Sequence, residues 1–173
     1  MSELLAKAFI RDVHDFPKPG IVFKDITPIL QHPQAFNEVI QMMAQAAELM
    51  APTVIVGIES RGFIFAAPIA LKLGLPLSLI RKLGKLPYDT IAEEYALEYG
   101  TNTVEIHKDA VATGDRVLVV DDLLATGGTA MASARLVEKC GAAVAGFSFL
   151  VELTFLPGRH ALRGYEINAL IDY

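Results

Sequence analysis

The run Val117-Leu118-Val119-Val120, leading directly into Asp121-Asp122 and a Thr/Gly-rich turn, constrains the fold of this chain more than any other stretch. A strand buried on both faces of a parallel sheet reads as a continuous apolar run, whereas a half-exposed strand alternates. The turn Ala125-Thr126-Gly127-Gly128-Thr129 then opens an expected helix from Ala130 to Lys139. Ligands gather at the carboxyl ends of such strands. Backbone N–H groups at a helix N-terminus favour a phosphate, and neighbouring carboxylates suit sugar hydroxyls or Mg²⁺. Phosphate, hydroxyls and metal within one turn point to a phosphorylated sugar.

The same strand-to-helix plan recurs along the chain. Val54–Ile58 reads as a buried strand, followed by Glu59-Ser60-Arg61-Gly62 and a helix from Phe63 to Leu73. Leu77–Arg81 is the next strand, Ala143–Leu153 contains another, and Glu166–Ile171 holds the last. Pro33 suits the first turn of a helix running to about Met50. Ser2 is expected to cap a first helix, Glu3 to about Val13, which Phe16-Pro17-Lys18-Pro19-Gly20 ends. Ile21–Thr27 reads as extended. Tyr95, Leu97 and Tyr99 alternate, as do Val104 and Ile106, with Gly100-Thr101-Asn102 between them, which is a hairpin signature. Strands alternating with helices give an α/β class with a mostly parallel central sheet flanked by helices, into which the hairpin is inserted.

Composition narrows the function classes. At 173 residues, one domain is expected, and a hydrophobic fraction of 53% fits a packed α/β core. No apolar run reaches the roughly 18 residues of a membrane span, and Met-Ser-Glu-Leu-Leu lacks the basic start of a signal peptide. The lone Cys140 excludes an internal disulfide and favours the cytoplasm. A net charge of −5 argues against nonspecific nucleic-acid binding. An acidic chain must then hold a polyanion through helix N-termini and a few local Arg or Lys side chains. The Walker and dinucleotide glycine motifs are absent. His14, His32, His107 and His160 lack metal-ligand spacing and are expected at the surface.

Two acids at a strand end need be no more than solvated charges ahead of a helix. The Thr/Gly turn behind them shifts the balance, and here the chain resembles the type I phosphoribosyltransferases, whose substrate motif is an apolar strand, two acids and a Thr/Gly loop. Phe16-Pro17-Lys18-Pro19-Gly20-Ile21-Val22-Phe23-Lys24-Asp25-Ile26-Thr27-Pro28 looks like the N-terminal signature of the adenine phosphoribosyltransferase family. Glu59-Ser60-Arg61-Gly62-Phe63, Arg81-Lys82-Leu83-Gly84-Lys85-Leu86-Pro87, Leu97-Glu98-Tyr99-Gly100 and Val151-Glu152-Leu153-Thr154 fit the same family in the same order, so the resemblance covers nearly the whole chain.

That resemblance implies a single phosphoribosyltransferase domain over 1–173, with a small N-terminal hood, a base-binding segment at about 1–30 and a flexible hairpin lid at about 82–107. It implies transfer of the 5-phosphoribosyl group of 5-phosphoribosyl pyrophosphate (PRPP) to adenine, giving AMP and pyrophosphate. Asp121 and Asp122 would hold the ribose hydroxyls, and Ala125, Thr126, Gly127, Gly128 and Thr129 the 5′-phosphate. Ser60, Arg61, Arg81, Lys82 and Lys85 would bind pyrophosphate, with a cis peptide at Glu59–Ser60. Phe23 and Leu153 would sandwich adenine while the backbone of Val22 to Lys24 reads its amino edge. Lys24 stands where many family members carry Arg. Glu98 would exchange the purine proton, with Arg61 the other catalytic side chain. Mg²⁺ would enter bound to PRPP without direct protein ligands, and a homodimer is implied. No nucleic acid or membrane partner is expected.

Two alternatives stay open at this level. Another nucleobase could be the acceptor, or the chain could be a PRPP-sensing regulator that binds without catalysis. An intact lid carboxylate and a full basic set weigh against the regulator.

Overall fold

A computed structural model of the chain describes residues 4–96 and 100–173. Two compact units make it up, Met1–Met42 and Met43–Tyr173.

In the first unit, a 3₁₀ turn at Leu5–Phe9 precedes β1 (Arg11–His14), β2 (Val22–Asp25) and the short α1 (Thr27–Leu30). The expected helix from Glu3 to Val13 is therefore wrong in its second half. Ile10 is already extended, and β1 pairs antiparallel with β2, Arg11 opposite Asp25 and Val13 opposite Phe23. Two ion pairs lock that register: Lys24 to Asp12 at 2.7 Å and Arg11 to Asp25 at 3.2 Å. Cross-strand bonds and charge pairs outweigh a helical apolar pattern only two turns long. Helix α2 follows at Pro33–Leu49, as the Pro at its first turn suggests.

The second unit is built on a seven-stranded sheet, with the elements β3 (Val54–Ile58), α3 (Gly62–Leu73), β4 (Leu77–Lys82), β5 (Thr90–Ala96), β6 (Thr101–His107), β7 (Arg116–Leu124), α4 (Gly128–Lys139), β8 (Ala143–Glu152), α5 (Gly158–Ala161) and β9 (Ile167–Asp172). Its strand order is β5-β6-β4-β3-β7-β8-β9. The five strands β4, β3, β7, β8 and β9 are parallel, and the β5–β6 hairpin extends the β4 edge antiparallel. All five residues of β3 are buried, and Val117 to Val120 of β7 are fully enclosed, as continuous apolar runs require. Helix α3 packs on β3 and β7, while α4 packs on β5 to β8.

The chain leaves β3 toward β4 in one direction and leaves β7 toward β8 in the other. Adjacent strands whose onward connections diverge open a crevice at their carboxyl ends. Here that point lies between β3 and β7, the strands that carry the Ser60-Arg61 turn and the paired acids.

Candidate active site

Strand β7 does not stop at the acids. It runs on to Leu124, so Asp121 and Asp122 are strand residues with opposed side chains rather than the start of the turn, and α4 begins at Gly128, two residues before Ala130. Leu123 and Leu124 still pair with Val151 and Glu152 of β8, and that ladder carries the strand past the carboxylates.

A cavity of about 440 Å³ opens at the switch point, lined by Glu59, Ser60, Arg61, Asp121, Asp122 and Thr129 together with hairpin residues Tyr95 and Asn102. A smaller one of about 90 Å³ follows Leu124 through Ala130. Asp121, Leu123 and Thr129 border both. The sequence motif thus builds two adjoining spaces, one among charged side chains and one along the backbone of the Thr/Gly turn.

Arg61 follows the Glu59–Ser60 bond, which is cis. Its Nε donates to Oδ2 of Asp122, a carboxylate that is 5% exposed. Among the described residues Asp121 makes no ion pair of its own, although the Arg61 charge also reaches it. Burial, reinforced by the charge of Asp122, holds its carboxyl well above the usual aspartate range, although the Asp122 amide donates to Oδ1 at 2.9 Å. Gly62 makes this proximity sterically feasible: a Cβ there would lie 2.7 Å from the Val120 carbonyl and 2.9 Å from Asp121 Oδ1.

The basic cluster divides. Of its three side chains only Lys82 lines the cavity. Arg81 instead turns to Glu59, at 3.3 Å, and donates to the Lys85 carbonyl at 2.9 Å. Burial would raise Glu59, but the Lys82 amide and the Arg81 guanidinium outweigh it, and the carboxyl sits below its ordinary range. Lys85 is exposed, and its amide donates to the buried Glu105 at 2.9 Å. Glu105 also accepts from the Leu86 amide and the Thr90 hydroxyl, so it shapes the segment on which the lysines stand.

The other expected positions fall in three places. Val22, Phe23 and Lys24 are on β2, where Phe23 meets the edge of Phe16 at 5.2 Å. Leu153 directly follows β8, half-buried, with its amide donating to the Leu124 carbonyl at 2.9 Å. Glu98, with Leu97 and Tyr99, lies outside the described residues.

Two histidines depart from the surface expectation. His32 is half-buried against Phe9, with ring centroids 4.1 Å apart, and its Nδ1 accepts from the Ala35 amide. His107 is half-buried at the end of β6, and its Nε2 lacks a hydrogen-bond partner among the described residues. His32 lies against Phe9 and His107 against the edge of Tyr88, contacts that spacing arguments do not detect.

Tyr95 and Asn102 read in the sequence as parts of the hairpin and not as site residues. They face each other across the hairpin, and both line the cavity. Alternation picks out Tyr95 as an inward residue, but only the register reveals Asn102 beside it. Among the described residues, no group of three or more His, Cys, Asp or Glu side chains is placed to hold a metal ion.

Comparison with known proteins finds relatives that cover nearly the whole chain. The adenine phosphoribosyltransferase of Roseiflexus sp. (strain RS-1) is 57% identical over 164 residues, covering 95% of this chain and 95% of its own. The crystal structure of the adenine phosphoribosyltransferase from Thermoanaerobacter pseudethanolicus superimposes with a TM-score of 0.95 at 55% identity, over 97% of this chain and 98% of that one. The Saccharomyces cerevisiae enzyme, complexed with an imino-altritol bisphosphate and adenine, gives a TM-score of 0.89 at 38% identity over 95% of this chain and 96% of its own. The phosphoribosyl transferase domain model matches residues 25–159, a span that runs from the end of β2 through both cavities to α5, and on this evidence the chain belongs to the phosphoribosyl transferase family.

Proposed function

We propose that the chain transfers the 5-phosphoribosyl group from PRPP to adenine, releasing AMP and pyrophosphate, as a purine-salvage transferase. The observation that carries this reading is the pair of adjoining cavities sharing Asp121, Leu123 and Thr129. A phosphorylated furanose has that two-part shape. Its 5′-phosphate suits the small space along residues 125–129, where backbone N–H groups precede α4. Its hydroxyls suit Asp121 and Asp122, and its pyrophosphate suits Ser60, Arg61 and Lys82, with Arg81 and Lys85 behind. Adenine recognition is assigned to Val22, Phe23, Lys24 and Leu153 on the resemblance of those motifs.

In the reaction, the bond from the anomeric carbon to the pyrophosphate oxygen breaks and a bond from that carbon to a purine nitrogen forms. The electron pair leaves with pyrophosphate, and the purine proton passes to Glu98. Arg61 and Lys82 face the charge that develops on the departing anion. The phosphate loop and the two acids hold the ribose while its anomeric carbon changes partner. The oxygen-rich lining of Glu59, Asp121 and Asp122 suits a hydrated Mg²⁺ carried on PRPP, outside direct protein ligation. When bound, that ion supplies charge neutralisation at the leaving group. A homodimer working in the cytoplasm completes the proposal, the first testable by sedimentation. No helix among the described residues is long and apolar enough to cross a membrane.

The decisive experiment supplies PRPP and Mg²⁺ with each free nucleobase in turn and follows pyrophosphate release. Release with adenine, and AMP as the product, is expected. Release only with another base would move the acceptor. Stabilisation by PRPP with no turnover on any base would make the chain a sensor.

A further inference from the structure

We propose that Tyr95 and Glu93 are positioning residues for the phosphate end of PRPP, fastening the hairpin strand β5 to helix α4 and thereby aiming the Thr129 hydroxyl. The inference rests on the proposed transferase reading for the identity of the ligand.

Two fastenings join these elements. At the first, Thr129 Oγ1 donates to the Tyr95 hydroxyl at 2.9 Å, and the Tyr95 ring lies so close to Gly128 that a Cβ there would sit 3.3 Å from Cδ2. At the second, Glu93 accepts from Lys139 Nζ at 2.5 Å and from Arg135 Nη1 at 3.1 Å. The Glu93 side chain is only 12% exposed, and the Lys139 ammonium, against burial and with Arg135 adding, holds its carboxyl below the ordinary range.

The spacing makes the two act together. Glu93 and Tyr95 are two apart on a strand, so they project from the same face. Arg135 and Lys139 are four apart on a helix and share one face as well. The strand is thus fixed near both ends of α4: by an ion-pair fork at the carboxyl end and by a hydroxyl pair at the amino end. Thr129 is the residue that matters chemically, because it borders both cavities. A threonine hydroxyl at that border reaches a monoester oxygen only in some rotamers, and the contact with Tyr95 selects among them; with phosphate bound, the Tyr95 hydroxyl donates to Oγ1, which frees the Thr129 proton for the monoester oxygen. Tyr95 therefore acts on the substrate through Thr129, and Glu93 acts through the placement of Tyr95. Neither position belongs to the motifs by which the family was recognised.

Tyr95→Phe removes the hydroxyl while keeping the ring against Gly128. One neutral hydrogen bond sets the scale, so the KM for PRPP should rise about five- to tenfold, with the KM for adenine within about twofold and kcat falling less than KM rises. Glu93→Gln should move the PRPP KM in the same direction by a smaller factor, and raising the salt concentration should narrow its difference from wild type, as screening of a charge pair requires. Circular dichroism and melting curves establish that both variants are folded. Binding of inorganic phosphate, followed by calorimetry, supplies a readout independent of turnover: weaker binding by Tyr95→Phe supports the inference, and unchanged binding with an unchanged PRPP KM overturns it. Absence of turnover by the wild-type chain would count against the transferase reading alone, and phosphate affinity would then decide the role of Tyr95.

Discussion

Arg61 donates through Nε to the buried carboxylate of Asp122, joining the turn after β3 to the second acid of β7 across 61 positions of sequence. The Arg61 side chain, which lines the cavity, is 41% exposed, and the Asp122 side chain is 8% exposed. One acid of the pair is therefore neutralised by the same cation that is assigned the leaving pyrophosphate. Arg61→Ala should lower turnover by roughly 10²–10³, the scale of one lost contact to transition-state charge. Arg61→Lys keeps the charge but not the planar fork, and should fall between that variant and wild type. Steady-state rates with PRPP and adenine decide it, and near-normal turnover in Arg61→Ala would refute the role.

Asp121 bears the cost of its location. Its carboxyl is raised by burial first and by the neighbouring Asp122 second, so the folded chain releases that proton at higher pH than the unfolded chain does. The penalty is absent below the unfolded value of about 3.9, grows as pH climbs, and is complete above the folded value. Asp121→Asn removes it while the amide oxygen still accepts from the Asp122 N–H. Melting temperature at pH 7 should therefore increase, by roughly 2–4 °C per kcal/mol relieved, and the gain should disappear near pH 4 or below. The same variant should bind PRPP about tenfold or more weakly, since an amide NH₂ replaces one of the oxygens that would accept from the ribose hydroxyls. Equal melting temperatures of variant and wild type at every pH would contradict the assignment.

Glu98 carries the proton-transfer proposal. Glu98→Gln preserves size and removes the base, so turnover should drop about 10²–10⁴-fold if the carboxylate takes the purine proton. The acid limb of the pH–rate profile should vanish with it. A variant that keeps the wild-type profile would shift the role to another group.

Legibility in the sequence followed the range of the interactions. Val54–Ile58 and Val117–Val120 were plain because a doubly buried parallel strand has one signature, an unbroken apolar run. The Thr/Gly turn was equally plain, since its role lies in its own backbone. What depended on distant partners was hidden. The apolar face of Leu4, Leu5, Ala8 and Phe9 carries the expected helix on to about Val13, yet residues 11–14 pair with 22–25, because the ladder and two ion pairs are contributed by the other strand. The basic run at 81–85 looked like one anion site, but Arg81 is claimed by Glu59, a residue 22 positions away. Asn102 became a cavity residue only through its register with Tyr95.

Gly158 offers a test of how the phosphate loop is held from behind. A Cβ at this position would fall 2.3 Å from the Ala125 carbonyl and 2.8 Å from Leu124 Cγ, so α5 meets the loop through bare backbone. The contact is stabilised by Arg159, one residue on, which donates to both oxygens of the buried Glu152, at 2.9 and 2.5 Å. Neither side has room to retreat, since Leu124 is part of β7 and Arg159 is clamped to β8. Gly158→Ala should then push the Ala125 carbonyl forward into the small cavity, destabilising the fold by about 1–3 kcal/mol, the usual scale of overpacking. Because the displaced atoms belong to residues 125–129, the KM for PRPP should increase more than tenfold, the equivalent of about 1.4 kcal/mol, while the KM for adenine stays within about twofold. A parallel rise in both constants, or in neither, would mean that α5 does not set the shape of the loop.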